Sequence, residues 1–172
     1  IIFKGNIQNG DMQISEHTAK GWTKPVSFPN TINTPAWDAD AMISSDGKAL
    51  LYVSERPEVL DLQLDDNPPG FHGHSMSSGN RDIFVSLKDD DGNWQDPINL
   101  GDMINTPFVE RTPFLHPDMK TMYFSSDGHG GFGRLDVYKT TRLDDTWTNW
   151  SEPVNLGNAI NTAKNDWGYR VS

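Results

Sequence analysis

Cysteine is absent from this 172-residue chain, which excludes disulfide bonds and thiolate metal sites. Long apolar runs are absent too, since no stretch reaches the 18 residues that would predict a membrane-spanning helix. Basic residues are few, with 14 Lys and Arg against 24 Asp and Glu. The net charge of −10 argues against a nucleic-acid partner, because the phosphates would be repelled.

Two common signatures of catalysis are also lacking. The sequence contains no Gly-x-Ser-x-Gly elbow and no His-Glu-x-x-His zinc motif. Hydrophobic residues make up only 35%, whereas the chain has 15 Gly and 11 Pro. This composition favours short strands joined by turns over packed helices. We therefore expect an all-β protein with no catalytic set and no cofactor.

What the sequence has in abundance is repetition. The tripeptide Ile-Asn-Thr occurs at 32–34, 104–106 and 160–162, so successive copies lie 72 and 56 residues apart. A tryptophan and a proline precede each copy at constant distances, at Trp22, Trp94, Trp150, Pro25, Pro97 and Pro153. Such periodicity predicts a structure built from repeated supersecondary units.

Each complete repeat is predicted to contain four short strands. In the second complete copy these are "ERTPFLH" (110–116), "TMYFSSD" (121–127), "DVYKTTR" (136–142) and a fourth strand that carries Trp150. The strands are rich in β-branched and aromatic residues and are separated by turn residues. A four-stranded antiparallel unit repeated in this way is the pattern of a β-propeller blade.

The repeat divides the chain into about three blades' worth of strands. The segments are a partial blade without its first strand (1–28), a blade with an insertion at 56–80 (36–100), a second complete blade (108–156) and the first strand of a further blade (166–172). Three blades are too few, because propellers typically have 4–8. The chain is therefore either a piece of a longer propeller or half of a six-bladed ring formed by a homodimer, in which each copy lends its last strand to the other.

The stretch "ERTPFLHPDMKTMYFSSD" (110–127) resembles the TolB-type propeller repeats of bacterial cell-envelope proteins. The segment "GGFGRLDVYKTTR" (130–142), followed by "WSEPVNLGNAINTAKNDWGY" (150–169), is similar to propellers of periplasmic proteins that also carry an OmpA-like domain. The resemblance implies a periplasmic or cell-surface location. It does not extend to peptidoglycan binding, because these residues include no OmpA-like domain. The chain also departs from the pattern at Met119, where the usual glycine is missing.

Candidate binding residues follow from the predicted blade geometry. The first strands begin at the mouth of the central channel, where Asp38, Glu110 and Asp166 occupy one repeat position. An arc of carboxylates there is suited to a cation or a cationic peptide. The structural alternative is that each carboxylate holds a turn or pairs with an arginine such as Arg111 or Arg134.

Aromatic and histidine residues supply further candidates. Trp37 and Trp167 lie near the predicted mouth at non-equivalent positions, which favours contact with a partner over a repeated packing role. His72 and His74 lie two residues apart in the long insertion and could face the same way on an extended segment. This spacing is a weak indication of a metal site, and exposed loop histidines are the simpler interpretation.

The function predicted from these features is non-catalytic binding of a protein or peptide at the channel mouth. Two other interpretations remain open: a propeller that binds or hydrolyses glycans, and the gating propeller of a serine peptidase. A propeller fold supports many activities, so the repeat by itself does not choose among them.

Overall fold

The computed structural model describes residues 2–6, 9–56 and 80–171. All regular secondary structure in these ranges is β, which confirms the predicted all-β class. The strands are β1 Ile2–Asn6, β2 Asn9–Ile14, β3 His17–Thr18, β4 Gly21–Trp22, β5 Val26–Ser27, β6 Asp38–Ile43, β7 Ala49–Ser54, β8 Asp82–Leu87, β9 Ile98–Asn99, β10 Glu110–Leu115, β11 Thr121–Ser126, β12 Asp136–Thr141 and β13 Val154–Asn155. No helix in the described ranges is long and apolar enough to cross a membrane.

Two of the sheets are four-stranded antiparallel meanders, as the repeat predicted. The second sheet has the order β6-β7-β8-β9, and the third sheet has the order β10-β11-β12-β13. Their registers are equivalent, because Ser54 pairs with Asp82 in one sheet and Ser126 pairs with Asp136 in the other. The number of blades and the closure of a ring remain predictions.

The first sheet contains three strands in the order β1-β2-β5. Its strand β1 pairs with β2, and β2 pairs with β5, so within the described residues no strand occupies the position of β6 or β10. A small hairpin of β3 and β4 lies between β2 and β5 in the chain and carries Trp22. This sheet corresponds to the partial blade predicted at 1–28.

The three sheets stack in chain order through two apolar clusters. Strand β7 alternates between them, because Leu50 and Tyr52 pack with Met12 and Phe28 of the first sheet's unit. Leu51 and its neighbours at the odd positions pack instead with residues of the third sheet, including Met122 and Phe124. All six residues of β7 are buried, since the second sheet is covered on both faces. Burial of a large apolar side chain contributes about 1.5–3 kcal/mol, so the buried side chains of β7 contribute strongly to the stability of the fold.

The turn between the first and second strands explains the departure at Met119. Gly47 has a φ of 74° and the equivalent Met119 a φ of 60°, so both adopt the left-handed conformation that the turn requires. A residue with a Cβ adopts this conformation at a cost of about 1–2 kcal/mol. The side chain of Met119 packs against the cluster between the second and third sheets, which offsets part of that cost.

Two parts of the structure differ from the predicted blade pattern. Trp150 is buried and Trp94 contacts Phe28, whereas Trp22 is 72% exposed. The difference arises because Trp94 and Trp150 pack against the preceding sheet, and no described segment precedes the first sheet in this way. Residues 166–171 form no strand, because a strand requires a ladder with a neighbouring strand and no described strand pairs with them.

Candidate functional site

The asparagine of each Ile-Asn-Thr copy fastens the loop after the fourth strand to the third strand of the same unit. The Asn105 side chain accepts a hydrogen bond from the Ile83 amide at 2.7 Å and donates to the Ile83 carbonyl at 3.0 Å. Equivalent pairs join Asn33 to Met12 and Asn161 to Val137. Asparagine is a common turn residue, so the sequence by itself does not reveal this long-range contact.

The threonine of each copy contacts the predicted carboxylate four residues later. Thr34 donates its amide and hydroxyl to Asp38, both at 2.7 Å. Thr106 makes the same two bonds to Glu110 at 2.9 and 2.7 Å. The third pair, Thr162 and Asp166, repeats the arrangement at the end of the described residues. The structure thus ties each carboxylate to its own loop, and the ligand-binding role of these residues stays a prediction.

The surroundings of the three carboxylates differ. Asp38 is fully buried and lies 3.3 Å from the guanidinium of Arg56. Glu110 is also fully buried, but it accepts bonds from the hydroxyls of Thr106 and Ser126 and from the Thr106 amide. Burial raises the pKa of Glu110 to about 8, and the hydrogen bonds from Thr106 and Ser126 act in the opposite direction. Asp166 is partly exposed.

The first strands β6 and β10 each contain a bulge at the same repeat position. The residues at this position and the equivalent glycine of residues 166–171 lie close together. Asp40, Thr112 and Gly168 have φ values of 51°, 46° and 77°, and register shifts occur at the bulges of β6 and β10. The Thr112 amide donates to Asp40 at 3.4 Å, and the Gly168 amide donates to the Thr112 hydroxyl at 3.0 Å. Residues 166–171 therefore approach the third sheet as β10 approaches the second, although they form no strand.

A pocket of about 270 Å³ opens between these bulges. It is lined by Asp40, Ala41, Thr112, Pro113, Trp167, Gly168, Tyr169 and Arg170. Of the predicted site residues, the structure brings Trp167 to this pocket. The repeat alignment could have indicated the pocket, because Asp and Gly at two of the three bulge positions are residues that tolerate the left-handed conformation.

Arginine and tryptophan side chains form a row beside the pocket. The guanidinium of Arg111 lies 5.3 Å from the ring centroid of Trp37 and 5.5 Å from that of Trp167. Arg81 lies 4.6 Å from the Trp37 centroid. Arg111 also forms a salt bridge with Asp40. The structural alternative predicted from the sequence pairs it instead with a carboxylate at the repeat position of Asp38. The two predicted tryptophans are thus connected through one arginine.

The loops between second and third strands lie over the Ile-Asn-Thr loops. Arg56 donates to the carbonyls of Thr31 and Ile32, both at 3.1 Å. His129 lies 2.9 Å from the carbonyl of Ile104 at the equivalent place in the next unit. The approach is close at Gly128, where an added Cβ would lie 1.9 Å from the Thr106 hydroxyl oxygen. Both kinds of loop therefore occupy one end of the sheets.

The predicted histidine pair lies outside the described residues, as does most of the insertion at 56–80. The structure therefore does not place His72 or His74. In the part of the chain that is described, no group of three or more His, Asp or Glu side chains is arranged to hold a metal ion.

Comparison of this chain with protein-family models, curated proteins and solved structures gives no match. The resemblance to TolB-type repeats therefore stays a prediction from the quoted motifs. The location in the cell envelope, which rests on that resemblance, stays one as well.

Proposed function

We propose that this chain is a non-catalytic β-propeller interaction module of the bacterial cell envelope that holds a protein or peptide partner. The observation that carries the proposal is the pocket between the bulges of the first strands. Its lining combines aromatic rings, a carboxylate, a hydroxyl and an arginine, which are groups that recognise peptide side chains. Its volume of about 270 Å³ lies just below the range of pockets for whole drug-sized molecules, so it suits one side chain of a larger partner.

The loop end of the sheets supports the same assignment. The Ile-Asn-Thr loops are held in place by their asparagines and by the carboxylate four residues after each threonine, and the connections after the second strands lie on top of them. A rigid framework that carries long connections at one end is a common basis for binding surfaces. The partner would contact this end and insert one side chain between the first strands.

A selection experiment with a displayed peptide library tests the function. We expect the chain to retain a set of peptides whose binding is lost in Gly168→Asn, because the added side chain would narrow the pocket. Asparagine tolerates the left-handed φ of 77°, so the fold should persist. Gly92→Asn is the matched control, since Gly92 has a φ of 84° and a Cβ there would also meet open space.

Two results would overturn this function. The first is failure to retain any peptide, and the second is equal retention by Gly168→Asn and the parent chain. Binding to a glycan array without binding to peptides would favour the glycan-acting alternative.

We further infer that the partner of the first sheet is a second copy of the chain, which completes a six-bladed ring. Two complementary features support this inference. Strand β1 lacks a first-strand neighbour among the described residues, and residues 166–171 make the backbone contacts of a first strand without a second strand beside them. One example is the Asp166 amide, which donates to the Leu135 carbonyl as the Glu110 amide donates to that of Arg81.

A further inference from the structure

The row of arginine and tryptophan side chains has a closed end and an open end. At the closed end, Trp37 is partly buried and has two guanidinium groups within 5.3 Å of its ring centroid, those of Arg81 and Arg111. At the open end, Trp167 is 60% exposed. Arg111 is the single cationic group found over the Trp167 ring among the described residues. The indole of Trp167 therefore offers an aromatic surface that is still accessible.

The cations already in the row are neutralised by their own carboxylates. Arg81 lies 2.6 Å from Glu55, and Arg111 pairs with Asp40. A further cation at Trp167 would therefore meet little repulsion from these two arginines. The net charge of −10 also favours the approach of a positively charged segment over long range.

The chemistry of the row favours arginine over other cations. A guanidinium is planar, is weakly hydrated and stacks on aromatic faces, whereas an ammonium keeps a compact hydration shell. Both cations in the row are arginines. Among the groups that line the pocket, Arg170 is the one that opposes a cationic ligand, and it is exposed.

We propose that Trp167 is a subsite for an arginine side chain of the partner. The incoming guanidinium stacks on the exposed indole and extends the alternation of cations and rings by one step. This inference rests on the proposed function, because it names the side chain that the binding pocket selects.

A titration with short peptides tests the subsite directly. The probes are acetylated and amidated Gly-Arg-Gly, Gly-Lys-Gly and Gly-citrulline-Gly, and the signal is the NMR shift of the indole N–H that disappears in Trp167→Leu. We expect Gly-Arg-Gly to shift this signal at lower concentration than Gly-Lys-Gly, and the neutral citrulline peptide to have the smallest effect.

Variants separate stacking from general attraction. Trp167→Leu should weaken Gly-Arg-Gly binding about 2- to 30-fold, the range that a cation–π contact supplies, and Trp167→Phe should retain part of the affinity. Phe132→Leu is the control, because Phe132 is another exposed aromatic residue, 53% accessible, and lies outside the pocket lining. Arg170→Gln should strengthen binding at low salt, since it removes a like charge.

The results distinguish failure of the subsite from failure of the proposed function. Equal binding of the citrulline and arginine peptides, or weaker binding in Arg170→Gln, would overturn the subsite. So would library peptides that depend on the pocket but carry no arginine, and these would leave the peptide-binding function in place. Absence of any library peptide would overturn the function itself.

Discussion

At the scale of single residues, one repeat position has three different electrostatic solutions. Asp38 is buried beside Arg56, Asp166 is partly exposed, and Glu110 is buried with hydroxyl and amide donors. Hydrogen bonds alone compensate a buried carboxylate less well than a cation does, which is why burial dominates the pKa of Glu110. The free-energy cost of placing a carboxylate at this turn therefore differs among the three units.

The raised pKa of Glu110 predicts how stability depends on pH. Between its ordinary value of 4.5 and about 8, folded Glu110 holds a proton that the unfolded chain has released. The free energy of unfolding should therefore fall as pH rises through this window, with a contribution of at most about 1.4 kcal/mol per pH unit from one proton. Glu110→Gln should remove that contribution, so the stability of the variant should rise relative to that of the parent chain from pH 5 to pH 8.

Urea denaturation at half-unit pH steps measures this effect. Glu152→Gln serves as the control, because Glu152 is an exposed carboxylate elsewhere in the same unit. A stability difference between Glu110→Gln and the parent chain that is constant from pH 5 to pH 8 would contradict the assignment.

At the scale of elements, the Ile-Asn-Thr loops are joined to the third strands rather than to their sequence neighbours. The side chains of Asn105 and Asn161 are nearly completely buried, and each also donates to the asparagine six residues earlier, Asn99 or Asn155, at 2.8 Å. Asn33 is only partly buried, and because Ser27 occupies the position equivalent to Asn99, its third bond goes to the Phe28 carbonyl at 3.3 Å. The contact is thus most deeply buried where a four-stranded sheet is complete.

Alanine substitution should reveal this ranking. Asn105→Ala leaves the buried Ile83 amide unsatisfied, at a cost of about 1–3 kcal/mol, whereas the Ile83 carbonyl still accepts a hydrogen bond from the Leu100 amide at 3.2 Å. We expect Asn161→Ala to cost a similar amount and Asn33→Ala to cost less, because water can reach the exposed loop of the first unit. Chemical denaturation of the three variants measures the order, and equal costs at all three positions would contradict it.

The sequence predicted the strands that recur, but it did not reveal the side-chain contacts, including those that recur in every unit. The spacing of Thr106 and Glu110 recurs at Thr34 and Asp38, so periodicity could have revealed the threonine–carboxylate contact. The row through Arg111 could not be predicted in this way, because Trp37 and Trp167 occupy different repeat positions. Their proximity depends on the bulges of the first strands, which a pattern of apolar residues does not record.

At the scale of the whole molecule, the stack of three sheets has two outer faces. Trp22, on the β3-β4 hairpin of the first unit, is 72% exposed, whereas its equivalents Trp94 and Trp150 pack against a preceding sheet. At the other end, Tyr169 lies against Tyr123, with ring centroids 5.2 Å apart, on the face of the third sheet where a following sheet would pack. The first unit therefore exposes a tryptophan that would pack against a preceding sheet, and the third sheet carries the face on which a following sheet would pack.

Association of two copies through these ends is the prediction at this scale. Light scattering should give a mass near twice 19.3 kDa for the parent chain. Trp22→Ser should shift the mass toward that of one chain, because the indole would be buried at the junction, whereas Trp22→Phe should keep the larger particle. If the parent chain stays at 19.3 kDa up to high micromolar concentration, the ring of two copies is wrong.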